Sequence, residues 1–355
     1  MAILWADNFK NYGTDDNKLL DGLYAQIGGA SITGLTADPS PDATGNVFLV
    51  GSGTAGFLRH VFSPAGVAIA GISARFWFTN IPTSTGTAPN FIQFRDTGNT
   101  TQVSIALSPS GLIEAWRGTT NSGILLGTSG TGIAPNSWNH IEARVEVSDT
   151  VGTVEVRVNG IVVLSLSNQD TRTGLANLSQ VAFASGYGQT TFSQSTNFYL
   201  KDYIAWDTSG TVNNSFLGTC AVISLYPDVD DSFAWTPSTG STGFNLIDEA
   251  TPNDSDYISA GDPPPAASEF GLTNLPPDIV SVKALLPITR SRKIDGGDGN
   301  LQAGLKGTLT DLGANNPITT SFTYRWDVSE LSPDTGAAWT PVEVDNVKLQ
   351  VNRTL

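Results

Sequence analysis

Hydrophobic and polar residues alternate along several stretches of the first 215 residues. Between Ser137 and Val147 the odd positions from 141 onward are apolar, and the even positions from 140 onward are polar or charged. Residues 154–158 and residues 72–78 alternate in the same way. A period of two is typical of a β-strand with one buried and one solvent-facing side. The pattern therefore predicts a sheet whose apolar side is covered by a second sheet.

Turn signals divide these strands at regular intervals. Asn159 and Gly160 end the strand at 154–158, and this dipeptide favours the two positive φ angles of a type I′ hairpin turn. The chain then returns through residues 161–164, and residues 198–206 form a later strand. Short strands joined by such turns predict an all-β sandwich.

The composition of the sequence changes after a polar run at residues 208–216, which predicts a domain boundary there. Beyond it, residues 221–226, 279–288 and 320–326 have the composition of strands, and the acidic residues 227–231 follow the first of them. We predict two domains, residues 1–215 and residues 216–355, of which the second is a smaller β-sandwich.

Three motifs of the first domain resemble the concanavalin A-like, laminin-G-like jelly roll. They are Ser-Trp-Asn-His-Ile-Glu (137–142), Val-Arg-Val-Asn-Gly (156–160) and Phe-Tyr-Leu-Lys-Asp-Tyr-Ile (198–204). This resemblance covers residues 1–215. It implies a concanavalin A-like jelly-roll sandwich and leaves function open, because unrelated activities share this fold.

Motifs of the second domain resemble an acidic β module of tailed-bacteriophage virion proteins. They include Tyr-Pro-Asp (226–228), Ala-Trp-Thr-Pro-Ser-Thr-Gly (234–240) and Pro-Asp-Thr-Gly-Ala-Ala-Trp-Thr (333–340). The resemblance implies a non-enzymatic virion structural protein, either associated with a tail fibre or spike or decorating the capsid surface. Its implied partners are further copies of itself, other virion proteins and a host-surface glycan. Two alternatives stay open: a carbohydrate-binding adhesion module and a glycoside hydrolase.

Composition and charge restrict the classes of partner. Gly (37) and Pro (19) are abundant and charged residues are only 14%, as in proteins made of short strands and turns. The net charge of −15 argues against binding of a nucleic-acid backbone. No segment is apolar over the length of a membrane span or a signal peptide. With the single cysteine Cys220, no intrachain disulfide can form, which favours synthesis in the host cytoplasm before assembly into the virion.

Catalytic signatures are absent from the sequence. The Glu-x-Asp-x-x-Glu strand of related glycosidases does not occur, and neither does a Gly-x-Ser-x-Gly elbow. Glu142 and Glu146 flank Arg144 on one strand, which predicts a solvated face with cross-strand ion pairs. His60 and His140 are predicted to be structural or surface residues. We therefore predict that the protein is not an enzyme.

Two sets of residues are candidates for binding a ligand. Asp228, Asp230 and Asp231 follow a predicted strand and have the hard oxygen ligands that calcium prefers, although the pattern favours a solvated acidic turn. Trp77 and Trp116 are candidates for stacking on sugar rings, and Trp77 falls in the polar register of its strand. The alternative for these two is packing in the core or at a subunit contact. No other cofactor is predicted.

Overall fold

The chain folds into two compact units of mainly antiparallel β-structure. The first unit comprises residues 2–9 and 14–222, and the second comprises residues 10–13 and those from 223 onward. Among the described residues, no helix is both long and apolar enough to cross a membrane. The computed structural model describes residues 2–28, 34–40, 46–51, 56–82, 89–120, 122–185 and 197–354.

The described part of the first unit consists of strands and one short helix, α1 (Asp16–Leu20). The helix begins after Asp15, whose carboxylate accepts the backbone N–H of Asn17 as an N-cap. The strands are β1 (Ile3–Asp7), β2 (Gln26–Gly28), β3 (Gly34–Ala37), β4 (Asn46–Val50), β5 (Gly56–Val61), β6 (Ile69–Phe78), β7 (Asn90–Arg95), β8 (Thr101–Leu107), β9 (Leu112–Arg117), β10 (Ile124–Gly132), β11 (Trp138–Glu146), β12 (Gly152–Val158), β13 (Ile161–Gln169), β14 (Gln180–Ser185) and β15 (Phe198–Asp207).

These strands form two antiparallel sheets. The eight-stranded sheet has the order β13-β12-β11-β6-β15-β4-β3, and β1 also pairs with β15. The seven-stranded sheet has the order β10-β9-β8-β7-β14-β5-β2. Strands that are distant in sequence are therefore neighbours in both sheets, as in a jelly roll.

Aromatic side chains fill the space between the two sheets. Phe76 of the eight-stranded sheet packs against Phe91 and Phe183 of the other sheet, with ring centroids 5.3 Å and 5.9 Å away. All three rings are buried. Large rings in such edge-to-face and tilted arrangements contribute strongly to core packing. The alternating apolar positions of the strands thus point to this core.

The second unit has shorter strands and a smaller core. Leu305, Trp339, Val344 and Val347 form a buried cluster. One six-stranded sheet has the order β16-β19-β25-β21-β22 with β23 beside β21, and two further ladders pair β17 with β18 and β20 with β24. The elements are β16 (Pro227–Ser232), β17 (Thr236–Pro237), β18 (Ile258–Ser259), β19 (Ser268–Leu272), β20 (Ile288–Ser291), β21 (Asn300–Lys306), β22 (Thr310–Asp311), β23 (Asn316–Pro317), β24 (Thr323–Trp326), β25 (Lys348–Thr354), α2 (Pro341–Asn346) and a 3₁₀ turn at Phe244–Leu246.

The predicted all-β fold class, a jelly-roll sandwich followed by a smaller β domain, is confirmed. The hairpin turn is also confirmed, since Asn159 and Gly160 have φ angles of 51° and 81°. Two predicted strands are wrong. Residues 221–226 join no ladder, because side chains bind their backbone: Val222 N–H donates to Asp202, and Tyr226 N–H to Thr273. Most of residues 279–288 also lies outside any strand.

Candidate functional site

One row of side chains crosses the outward face of the seven-stranded sheet from β5 to β9. Strands lie about 4.8 Å apart, so a row over five strands is about 19 Å long. Following the strand register, we define the outer row as Arg59, Ala182, Gln93, Ser104 and Trp116.

Strand alternation directs the outer row away from the core. Gln93 lies between Ile92 and Phe94, which are buried in the core, so its own side chain has the opposite direction. Gln93 nevertheless has no exposed surface, whereas Arg59 and Trp116 are half-buried. The two ends of the outer row are therefore the parts that a ligand in solution can contact directly.

Small side chains surround the middle of the outer row. Ser104 and Ala106 lie two residues apart on β8, and Ala182 and Ala184 lie two residues apart on β14, so each pair shares one side of its strand. All four side chains are completely buried, so the middle of the outer row offers no surface to a ligand in solution.

Trp116 forms one end of the outer row together with an acid. Its indole Nε1 donates to Oε2 of Glu114 over 2.9 Å. Glu114 is two residues earlier on β9 and so lies on the same side of the sheet. The bond orients the indole and leaves the second carboxylate oxygen of Glu114 as an acceptor.

Arg59 forms the other end of the outer row. Its Nη1 donates to Oδ1 of Asn99 over 2.8 Å and to Oε1 of Gln180 over 3.5 Å. Its Nε is buried and has no hydrogen-bond partner among the described residues. Arg95, on β7, donates from Nη2 to the backbone oxygen of Asn99 over 2.6 Å. Two guanidinium groups therefore meet at Asn99.

The structure places Trp77 on the outward face of the eight-stranded sheet, so the two candidate tryptophans do not share a site. Trp77 pairs across strands with Trp138 and packs edge-to-face on it, with centroids 5.9 Å apart. Lys201 Nζ lies 4.1 Å above the Trp138 ring and 2.7 Å from Asp38. Trp138 Nε1 also donates to Asp38, over 3.3 Å. These contacts hold the rings against one another.

Residues 216–222 lie over another part of this eight-stranded sheet. The Oε1 of Glu142 accepts the backbone N–H groups of Leu217 (2.8 Å) and Gly218 (3.1 Å). Glu142 is buried, and burial raises its pKa above the usual value while the two hydrogen bonds lower it in part. The prediction of a solvated face was therefore wrong at Glu142, because a later segment of the chain covers it.

Both histidines are buried structural residues. His60 Nδ1 lies 3.0 Å from the Tyr203 hydroxyl, and His140 Nε2 lies 2.8 Å from the Ser73 hydroxyl. Burial lowers the pKa of His60 to about 3. Burial and the nearby positive charge of Arg75 lower the pKa of His140 to about 4. Both imidazoles are neutral at pH 7.

The three candidate calcium ligands lie on β16 in the second unit. Asp230 accepts the backbone N–H groups of Gly243 (2.8 Å) and Phe244 (2.7 Å). Asp231 forms an ion pair with Lys348, and Asp228 is exposed. Across the part of the chain that the structure describes, no three His, Cys, Asp or Glu side chains are grouped so as to hold a metal ion.

Sequence reasoning missed Arg59, Arg95 and Gln93. The signal that could have found Gln93 is its polar side chain between apolar residues of the run Phe-Ile-Gln-Phe (91–94). No pattern in the sequence pairs Gln93 with Arg59, because their strands are joined only through β14.

Comparison with known proteins finds similar solved structures and no sequence relative. No protein-family model matches the chain, and no curated protein matches it. Among the similar structures, the cellulose induced protein Cip1 has a TM-score of 0.44 and 12% identity, over 61% of this chain and 100% of that one. An endo-β-1,4-glucuronan lyase from the fungus Trichoderma reesei has a TM-score of 0.41 and 9% identity, over 57% of this chain and 95% of that one. The alginate lyase Aly36B has a TM-score of 0.40 and 15% identity, over 56% of this chain and 95% of that one.

Two of these similar structures are polysaccharide lyases. The predicted role as a non-enzymatic bacteriophage virion protein is therefore wrong. The prediction that the protein is not an enzyme is corrected for the same reason. With identities of 15% or less and TM-scores of 0.44 or less, the three likenesses extend to no residue or substrate of this chain.

Proposed function

We propose that the outward face of the seven-stranded sheet binds a polysaccharide at the Trp116 end of the outer row. The observation that carries this proposal is a half-buried aromatic ring with a carboxylate held beside it on the same strand. The ring of Trp116 and the carboxylate of Glu114 lie side by side. An aromatic face contacts the C–H groups of a sugar, and an adjacent carboxylate accepts its hydroxyl hydrogens.

The opposite face supports this function less well. Trp77 packs edge-to-face on Trp138, and Lys201 covers the Trp138 ring. Rings held in this way present less of their flat surface to a sugar. Trp116 has no such aromatic or cationic neighbour among the described residues. The binding site is therefore assigned to the Trp116 side of the sandwich.

Binding of the full chain to an array of immobilised polysaccharides tests the proposal. We expect at least one polysaccharide to bind, and Trp116→Ala to weaken that binding by about tenfold, a loss in the range of a stacked aromatic contact. Trp116→Phe keeps an aromatic face and should retain much of the affinity. Trp77→Ala, on the other sheet, is the matched control and should bind as the unaltered chain does.

Two results would contradict the proposal. One is an array without any bound polysaccharide, at a protein concentration where the chain is folded. The other is a polysaccharide whose affinity responds to Trp77→Ala and not to Trp116→Ala. Reducing ends measured in the same mixtures report whether the bound chains are also cleaved.

A further inference from the structure

Two long strands form one edge of the jelly roll, which we call the β10–β13 edge (residues 124–132 and 161–169). β10 ends the seven-stranded sheet and β13 ends the eight-stranded sheet. Gly127 of β10 lies against Leu164 and Leu166 of β13, so the two strands border the same side of the sandwich. Among the described residues, β10 forms a ladder with β9 alone and β13 with β12 alone. The outer backbone groups of both strands are therefore open to a further strand.

The far ends of the two sheets are built differently. There the strands are β2 and β3, with three and four residues, whereas β10 and β13 have nine residues each. Natural proteins prevent the addition of a strand to an exposed edge by keeping the edge short, by charging it or by placing proline in it. No residue of β10 or β13 is charged or a proline. The β10–β13 edge thus lacks all three of these protections.

Two side chains that point toward the core are exposed at the β10–β13 edge. Ile161 is paired with the buried Val158, so both side chains point between the sheets. Ile124 is paired with Arg117, two residues after the buried Ala115, and also lies on the inner side of its sheet. Ile161 is nevertheless 70% exposed and Ile124 is 54% exposed. Covering this edge would remove both side chains from water, which is favourable.

The two isoleucines lie at opposite ends of the β10–β13 edge. Ile161 begins β13. Ile124 lies near the other end of β13, because the Arg117 opposite it forms an ion pair with Asp170, just after that strand. Antiparallel pairing of two β13 strands about their middle residue brings the start of one strand beside the end of the other. Ile161 of one copy then lies next to Ile124 of the partner subunit.

We propose that two copies of this chain pair through β13 in antiparallel orientation, about a two-fold axis that passes near Ser165 and runs perpendicular to the sheets. Ser165 is exposed, and residues 164–166 keep a regular register with β12. The two eight-stranded sheets then form one continuous sheet, and the two β10 strands meet beside it. A two-fold axis makes the same patch of both copies the interface, as in most protein dimers. The dimer does not depend on polysaccharide binding.

The size of the β10–β13 edge is sufficient for a dimer. A strand of nine residues is about 30 Å long, and two packed sheets lie about 10 Å apart, so the edge with its side chains offers about 600 Å² per copy. The pair of copies would bury about 1,200 Å², which is at the lower end of the range for specific interfaces. We therefore expect a reversible dimer.

Sedimentation equilibrium of the full chain at several concentrations tests the proposal. We expect a monomer–dimer equilibrium. Ser165→Lys places two like charges opposite one another across the axis and should raise the dimer dissociation constant by about tenfold or more. Gln26→Lys places the same charge at an exposed position of β2, at the far end of the seven-stranded sheet, and should leave the constant unchanged.

A charge exchange tests the antiparallel pairing itself. Ser165→Glu alone should weaken the dimer as Ser165→Lys does. An equal mixture of the two variants should associate about tenfold more tightly than either variant alone, because opposite charges then face each other. Added salt should reduce this recovery. Ile161→Asn, at the apolar end of the strand, is a second way to weaken the dimer, and melting temperatures of all variants are measured in dilute, monomeric samples.

Three results would overturn the proposal. A monomer at every concentration would mean that a second copy does not cover the β10–β13 edge, and would leave it to a strand of a different protein. A dimer that is weakened by neither Ser165→Lys nor Ile161→Asn would use another surface. Weakening by both changes at Ser165, without recovery in their mixture, would exclude the antiparallel pairing of two β13 strands.

Discussion

The two outward faces of the jelly roll differ in what their polar side chains contact. On the eight-stranded sheet, Glu142 accepts two backbone N–H groups of a covering segment, and Lys201 pairs with Asp38. On the seven-stranded sheet, Arg59 keeps a buried Nε without a partner among the described residues. Both faces arise from the same alternation of residues.

Buried atoms without a partner occur on both faces, since Glu142 Oε2 and His140 Nδ1 also lack one among the described residues. What separates the faces is that residues 216–222 lie over Glu142 on the eight-stranded sheet, the closed face, whereas Trp116 and Glu114 are half-buried on the seven-stranded sheet, the open face.

The largest expected effect is a change in the pH dependence of stability when His140, on the closed face, is replaced. Its pKa in the folded protein is about 4, below the usual 6.5, so the folded state holds fewer protons than the unfolded state. Stability is therefore lost as the pH falls from about 6.5 toward 4. His140→Gln should remove about 3 kcal/mol of this loss between pH about 7 and pH about 4.

Urea denaturation of both proteins at several pH values measures this difference. His60 is common to the two proteins and cancels in the comparison. Parallel stability curves for the unaltered chain and the variant would mean that His140 is not closed off from water. An NMR titration in which one histidine has a pKa near 6.5 would lead to the same conclusion.

A smaller effect is expected when the acid under the covering segment is removed. Glu142→Ala leaves the backbone N–H groups of Leu217 and Gly218 without their acceptor, while it relieves the burial of a carboxylate. We expect a net loss of about 2 kcal/mol in the free energy of unfolding. Glu114→Ala is the matched change on the open face and should cost under about 0.5 kcal/mol. Similar losses for the two variants would remove the distinction between the faces.

The smallest effect on stability distinguishes the two candidate tryptophans. Trp77→Ala removes an edge-to-face contact with Trp138 and should destabilise the fold by about 1 kcal/mol. Trp116→Ala removes a half-buried ring that contacts Glu114 through one hydrogen bond, and should destabilise it less. Thermal unfolding of the two variants, measured without ligand, checks the order. A larger loss for Trp116→Ala would assign Trp116 a structural role.

Much of the first unit was predictable because strand alternation and turn chemistry act locally. The strand predicted at 137–147 is β11, and the turn at Asn159 and Gly160 has the expected positive φ angles. Predictions failed where the apolar pattern was present but backbone N–H groups donated to side chains instead of to a neighbouring strand. In residues 221–226, Val222 binds Asp202 instead of a neighbouring strand, and a sequence pattern does not report this choice.

The alternation of residues was enough to assign which side of each strand faces the core, since the period of two separates apolar from polar side chains along the long strands. Whether the polar side of a strand is exposed or covered depends instead on contacts between distant parts of the chain. Arg59, Gln93 and Trp116 enter one row through strands that are far apart in sequence. Residues 216–222 return to lie over Glu142. Strand pairing and the return of a covering segment are long-range events, which local alternation permits but does not specify.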